Sequence, residues 1–472
     1  MWKFSERIAA QIVSLIVTIV LARLLLPEDY SVVSIVAVFF AFADVLVSGG
    51  LSTALIQKKD ADRLDYSTIL YVSVGISLVI YGVFFFVAPY VARVYEKEIL
   101  VAVIRVMGLV LIPNAIKSIL CAYVSNCLEF KKFFFSTIGG TVISGVVGIL
   151  MAKAGLGPWA LVVQQMINTI VGTLILIIVT RFKPMLAFSW VRLKGLFQYG
   201  WKIFATNIID TIYNEINPLI VGLRYTPVDL SYYSKGQSFP KLINTTMSDT
   251  FASVLFPVMS KVQDDKNQLL NMTRRFMQIS TYFVFPMMVG FFAISDNFVS
   301  SVLTEKWMPA SMYIRIFCLS GMFTIVTKGN LQVIKASGRS DILLILEIIK
   351  KVLYFIVIVL FVFFSESPEI FALASLINSL IALMVNCIPN RTLIGYRFRK
   401  QLKDIVPNLL LACIMGVAVY LMNYINLTPL VLMILQILVG GLVYLFISAV
   451  FRPIGFLLVF QSMKDFIAKR KG

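Results

Sequence analysis

Apolar runs of about 20 residues recur along this chain, and they restrict its fold more than any other feature. Twenty helical residues cross the hydrocarbon core of a bilayer, where every backbone N–H and C=O must be satisfied within the segment itself. Breaks at Pro, Gly and charged clusters divide the 472 residues into fourteen such segments. They fall at 8–26, 31–56, 67–88, 100–124, 134–154, 158–180, 203–222, 231–258, 276–295, 312–334, 342–364, 371–390, 405–425 and 428–450. Composition agrees: 59% of residues are hydrophobic, 14% are charged and the mean hydropathy is +0.89. The expected fold class is therefore an all-α integral membrane protein with about 14 transmembrane helices, the two terminal ones outside the internal repeat described below. No gap is long enough for a catalytic domain, and a soluble enzyme, a disordered chain or a secreted disulfide scaffold is excluded. Segment 8–26 runs into ARLLLPEDY without a small-x-small cleavage site, so it reads as a retained helix and not a signal peptide.

The chain has no histidine, which removes the commonest metal ligand and every catalytic triad that needs imidazole. Its five cysteines lie in or beside apolar runs with no ligand-like spacing and read as small core residues. Neither a metal nor a cofactor is expected.

With a cytoplasmic N-terminus, the inner segments hold 28 of the 42 Lys and Arg residues and the outer segments hold four. Acids divide as ten inside and nine outside, giving +18 within and −5 without. Cytoplasmic Lys and Arg in short loops fix orientation, so both termini are expected in the cytoplasm. The formal charge of +18 then reflects topology and anionic lipid, and nucleic acid need not be invoked. The basic tail Lys464 to Lys471 reads as a juxtamembrane anchor.

At an offset of 200 residues Pro27, Asp29 and Ser31 align with Pro227, Asp229 and Ser231, each between two spans. At about 210, Ile104-Arg105-Val106 aligns with Ile314-Arg315-Ile316, and Lys117 falls within a residue of Lys328. Two six-helix lobes are expected, 1–195 and 196–400, facing each other across a cavity, a recurrent transporter plan. Residues 401–472 add two helices and the basic tail, and 405–451 contains no charge, which suits peripheral lipid-facing helices.

Polar groups inside a bilayer are costly and face a cavity or another helix. The first helix carries Arg7, Gln11, Ser14 and Thr18 within about 60° of one another, and the seventh carries Asn207, Asp210, Asn214 and Asn217 within about 80°, with Glu215 off the stripe. Such stripes line a water-filled cavity or bond neighbouring helices. Asp44, Asp210, Glu215 and Asp249 are candidates for ion coupling, though Asp44 could equally hold two helices together. Lys117 shares a face with Asn114 and Cys121, and Glu347 with Lys351 is spaced for a local ion pair. Lys235 and Lys241 join Arg7, Lys117 and Lys328 in a cation-rich inventory. An anionic substrate follows: Lys and Arg would hold a phosphate or pyrophosphate, while Gln11, Ser14, Asn207, Asn214, Asn217 and Asn244 would hydrogen-bond sugar hydroxyls.

Several stretches then carry a resemblance. ARLLLPEDYSVVSIVAVFFAF, LIQKKD, AGLGPWALVVQQ, FPVMSKVQDD, EKWMPA, KASGRSD and QLKDIVPNL resemble, in order and over nearly the whole chain, the Wzx-like oligosaccharide flippases of the multidrug/oligosaccharidyl-lipid/polysaccharide exporter superfamily. The resemblance implies two six-helix lobes, inward- and outward-facing states, a bacterial cytoplasmic membrane and polyprenyl-pyrophosphate-linked oligosaccharide as cargo, without covalent chemistry. Contact with polysaccharide polymerase machinery is one further candidate partnership. Cationic cavity residues would meet the pyrophosphate, which points here to Arg7, Lys117 and Lys328; the residues themselves add Lys241. The chain departs from the family pattern at Ser31 and Ser231, where Gly is usual, and at Pro158, where Val is common; both bear on loop bending more than on chemistry. A drug or cation antiporter of the same superfamily would favour acids and aromatics in the cavity and twelve spans. A membrane polymerase would need a catalytic outer loop, yet the longest outer stretch, 296–311, has one Lys and no His.

Overall fold

The computed structural model describes residues 2–461 apart from 49, 59, 128, 130, 263, 264, 338, 365 and 459. The side chains of residues 2–9, 48, 199, 249, 250, 252–258, 260, 261 and 340 also lie outside the described set. Among the described residues there is no strand, and all fourteen apolar segments are helical. In chain order the helices are α1 (Trp2–Leu24), α2 (Pro27–Ser48), α3 (Leu51–Gln57), α4 (Arg63–Val94), α5 (Ile99–Gly108), α6 (Leu111–Asn126), α7 (Lys131–Lys153), α8 (Pro158–Thr180) and α9 (Trp190–Arg224). There follow α10 (Pro227–Lys261), α11 (Lys266–Ala293), the single turn α12 (Ser295–Phe298), α13 (Ala310–Ala336), α14 (Ser340–Phe364), α15 (Glu369–Ile394), α16 (Phe398–Leu421) and α17 (Pro429–Phe451). Among the described residues ten membrane-length apolar stretches emerge by length and composition, with α5 and α6 forming one of them. The other expected spans coincide with α1, α9, α10 and α14, which are shorter in their apolar part or carry more polar residues.

Local chemistry sets the helix ends. Pro27, Pro158, Pro227 and Pro429 stand at first helical positions, where a missing N–H is harmless. Asp62 and Asp65 cap α4 reciprocally, and Asp265 accepts from the backbone N–H groups of Asn267 and Gln268 to start α11. Gly395, at φ +70°, ends α15.

Two segments expected as single helices are interrupted. Pro113 has no N–H for the carbonyl of Leu109, and the chain breaks between Gly108 and Leu111 into α5 and α6. The segment 31–56 divides at Gly50 into α2 and α3, because backbone from another helix passes there: a Cβ on Gly50 would stand 2.2 Å from the carbonyl oxygen of Gly200 in α9.

The chain divides into two compact units, Met1–Ser231 and Tyr232–Gly472. In the first, α7 packs on α8 and α1 on α7, with Val17 and Leu21 buried near Ala152 and Ala160. α9 lies against α2, α3 and α4. In the second, α13 packs on α15, and α11 is clasped between α13 and α16.

Equivalent local geometry recurs at the offsets seen in the sequence. Asp29 Oδ2 accepts from Leu26 N at 2.9 Å, and Asp229 Oδ2 accepts from Thr226 N at 3.0 Å. Ser31 donates to Glu28 O, and Ser231 donates to Val228 O. Arg105 Nε donates to a group 20 residues earlier, Phe85 O at 3.3 Å, and Arg315 Nε donates to Ser295 Oγ, again 20 residues earlier, at 2.9 Å.

α16 is less peripheral than its lack of charge between 405 and 421 suggests. Asp404, on its first turns, accepts two bonds from Arg274 at 2.8 Å, one from Gln278 at 2.9 Å and one from the Tyr396 hydroxyl at 2.8 Å. Burial, and then the Asp404 carboxylate, push the Tyr396 phenol up, so it remains a donor. One turn further, Asn408 donates to Gln278 O and Thr281 Oγ1 of α11. An ion pair and buried polar groups thus tie α16 into the second unit where hydrophobicity alone would leave it loose.

Two consequences can be measured by thermal unfolding of the purified protein in detergent. Asp404→Ala removes the acceptor of four donated bonds and lowers stability by about 3 to 5 kcal/mol, whereas Asp404→Asn, which keeps an acceptor, loses less. Gly50→Ala forces backbone apart at Gly200 and costs about 1 to 3 kcal/mol; an unchanged transition in either alanine variant contradicts the packing described.

Candidate functional site

The break at Pro113 sets the start of α6 and with it the face that carries Asn114 and Lys117. Asn114 Nδ2 donates to Asp44 Oδ1 of α2 at 3.0 Å, and Ser118 Oγ accepts from Ser52 of α3 at 3.2 Å. The Lys117 side chain reaches the seam of α7 and α8: its Nζ would stand 3.4 Å from a Cβ on Gly172. Ser136 of α7 bonds Gly172 O at 2.6 Å beside it. Small residues at Gly140, Ser144 and Gly148, spaced four apart on α7, serve packing, since a Cβ on Gly140 would meet Asn168 of α8 at 2.9 Å.

Lys117 is half-buried, and among the described residues its ammonium has neither an ion pair nor a hydrogen bond. The helix rises about 1.5 Å per residue, which puts Lys117 more than 10 Å from the end of α6 at Asn126. A cation held at that depth without a protein counterion is energetically costly and available to an anionic ligand. Asn114 stands one turn away on the same face of α6 and bonds Asp44 of α2.

The remaining predicted residues separate. Arg7 and Asp249 have side chains outside the described residues. On α1 the face of Val13, Val17 and Leu21 packs toward α7, while Gln11, half-buried, and Ser14, exposed, lie about 60 to 120° around the helix. On α9 the stripe is uneven: Asn217 is buried, Asn207, Asp210 and Glu215 are half-buried and engaged by neighbouring groups, and Asn214 is exposed. In the second unit Lys328 is half-buried and engaged, Lys241 is exposed, and Asn244 fills the space a Cβ on Gly321 would need.

Lys235 has a packing use. It is 6% exposed, with Nζ 5.2 Å from the centre of the buried Trp307 ring. Arg105 rests over Phe85 at 4.0 Å and Arg315 pairs with Asp296, so both arginines clamp helix ends. Glu347 pairs with Lys350 at 2.6 Å, three residues on.

Sequence reasoning missed a band of amides in the second unit. Asn390 Nδ2 donates to Asn330 Oδ1 at 2.7 Å, and Asn330 donates to Gln401 at 3.0 Å. Asn386, one turn from Asn390, is fully buried. Gln436 of α17 bonds Val419 O and Asn423. The available signal was the residue type alone, Asn and Gln within apolar runs. An apolar groove of about 320 Å³ opens beside Gln436, lined by Ile243, Pro286, Gly290, Met415, Gly440 and Tyr444. Among the described residues no group of three or more His, Cys, Asp or Glu could hold a metal ion.

Residues 20–312 match the family model described as "Polysaccharide biosynthesis protein", more than half of the chain. The chain belongs to this family of polysaccharide biosynthesis proteins. Over its whole length it is 23% identical to an uncharacterized membrane protein in the cps region of Klebsiella pneumoniae, covering 96% of that protein. It is also 23% identical to the lipopolysaccharide biosynthesis protein WzxC of Escherichia coli K12, across 72% of this chain and 70% of WzxC. Among solved structures it shares the fold of the lipid II flippase MurJ in an inward closed conformation, with a TM-score of 0.78, 17% identity and coverage of 95% of this chain and 98% of that one. This polysaccharide biosynthesis protein is thus a multi-pass, all-helical membrane protein with the MurJ-like fold.

If Lys117 is kept for a ligand, its removal does not harm the fold. Lys117→Met leaves the unfolding temperature of the ligand-free protein unchanged or raises it, because no ion pair is broken. A drop of several degrees assigns the ammonium to structure instead.

Proposed function

We propose that this protein is a flippase that carries polyprenyl-pyrophosphate-linked oligosaccharide repeat units from the cytoplasmic to the outer leaflet of a bacterial inner membrane. It works by alternating access and makes or breaks no covalent bond. The observation that carries the reading is the half-buried Lys117 ammonium, set at membrane depth without a protein counterion among the described residues. A pyrophosphate supplies the charge such a site requires, and in a low-dielectric setting that attraction outweighs its value in water. The family membership and the likeness to a lipid II flippase support the same cargo class.

The chain's residues divide the work by chemistry. Lys117 and Lys328 hold the pyrophosphate, with Arg7 and Lys241 as further cations along the route. Gln11, Ser14, Asn207, Asn214, Asn217 and Asn244 exchange hydrogen bonds with sugar hydroxyls, a set loose enough to pass units of differing composition. The polyprenyl tail stays in lipid, and the groove beside Gln436, open and apolar, suits such a chain. Asp44, bonded to Asn114 one turn from Lys117, is the first candidate for coupling to an ion gradient, ahead of Asp210, Glu215 and Asp249. Both termini are cytoplasmic, the lobes are 1–195 and 196–400, and the two terminal helices bring the crossings to fourteen. Polymerase machinery receives the flipped unit on the far side.

Alanine at both Lys117 and Lys328 abolishes surface polysaccharide while the protein stays in the membrane at its normal level, read by immunoblot of membrane fractions and by polymer staining. Full polymer in the double variant contradicts the pyrophosphate role. Asp44→Asn, assayed with and without a collapsed ion gradient, loses its sensitivity to the gradient if Asp44 couples; equal sensitivity removes Asp44 from that role.

A further inference from the structure

Residues 181–202, between α8 and the middle of α9, have two unlike sides. One is fastened to the first unit. Met185 N donates to Ser67 Oγ at 2.8 Å, the Tyr71 hydroxyl donates to Met185 O at 2.8 Å, and Ser189 N donates to Thr68 Oγ1 at 3.3 Å. Arg192 pairs with Asp62 at 2.8 Å and Asp65 at 3.1 Å, while Phe182 meets the rings of Tyr66 and Tyr123. Leu196 joins the same buried cluster.

The other side is apolar and open. Leu186 is 99% exposed, Val191 83% and Trp190 74%, with Phe188, Phe197 and Trp201 also exposed. Large apolar groups held outward by this many bonds need a partner outside the chain. The charges say which kind: the segment carries Arg181, Lys183, Arg192, Lys194 and Lys202 and no acid. Of these, Arg181, Lys183, Lys194 and Lys202 make no side-chain ion pair among the described residues. Aromatic and aliphatic groups interleaved with cations are the composition of a segment lying in the headgroup region, where rings sit at the acyl boundary and ammonium groups reach acidic phosphates.

We propose that residues 181–202 form a fixed anchor that lies in the cytoplasmic membrane interface and binds acidic phospholipid. The leaflet follows from the topology above, but the anchoring itself does not depend on the cargo. Its consequence is that the start of α9 is held from both sides, by Asp62 and Asp65 on one and by lipid on the other.

The test places a nitroxide at Leu186→Cys in a cysteine-free background, with the protein in nanodiscs of phosphatidylcholine alone or with added phosphatidylglycerol. Collisions with oxygen are expected to exceed those with a water-soluble nickel chelate, and the excess should grow with phosphatidylglycerol. Lys183→Gln with Lys194→Gln should abolish that growth. A label that meets the nickel chelate freely in both lipids overturns the anchor. A label shielded from both reagents points to a protein contact and overturns it as well, and immersion indifferent to phosphatidylglycerol overturns the acidic-lipid claim. Should the cysteine-free chain fail to fold, quenching by brominated phospholipid of the fluorescence lost in Trp190→Phe reads the same depth. No step requires transport, so a failed flipping assay and a failed anchor are separate results.

Discussion

Hydrocarbon offers no hydrogen bonds, and the rest of this structure follows from that. The backbone answers by forming helix after helix, with Pro27, Pro158, Pro227 and Pro429 at first helical positions and others, such as Pro89, Pro286 and Pro389, carried inside continuous helices. Side chains have fewer options. Asp404 meets Arg274, Gln278 and Tyr396, Asn330 meets Asn390 and Gln401, and Gln436 meets Val419 and Asn423. Most intramembrane polarity is thereby structural. Against that background a half-buried lysine without a counterion among the described residues is unusual, and Lys117 carries the functional reading for that reason.

The helices were legible because hydrophobic segments of bilayer length leave few alternatives to a helix. The internal repeat was legible through Pro, Asp and Ser at fixed offsets, residues whose capping bonds are local; Asp29 and Asp229 make the same bond to the residue three before them. The interruption at Gly50 was not, since it depends on the backbone of Gly200, 150 positions away. The partner of Asp404 was hidden likewise, with Arg274 lying 130 residues earlier. Pattern reports which face is buried and says nothing of what it is buried against.

The candidate site divides along the same line. Lys117 stood out because a charge in an apolar run is visible without a structure, whereas Lys235, equally visible, packs on Trp307. The polar stripes of α1 and α9 were read from angular spacing, which treats every position on a stripe alike; the fold buries Asn217 and exposes Asn214. In residues 181–202 no sequence pattern separates the exposed rings from the bonds to Ser67, Thr68 and Tyr71; only the fold puts them on opposite sides.

The central claim is that the protein moves a lipid-linked oligosaccharide across the membrane. Its most direct test is the leaflet distribution of polyprenyl-linked oligosaccharide in cells depleted of this protein, probed from outside with an impermeant sugar-modifying reagent. The account predicts that the unit accumulates out of the reagent's reach, in the inner leaflet. Normal labelling from outside would contradict it.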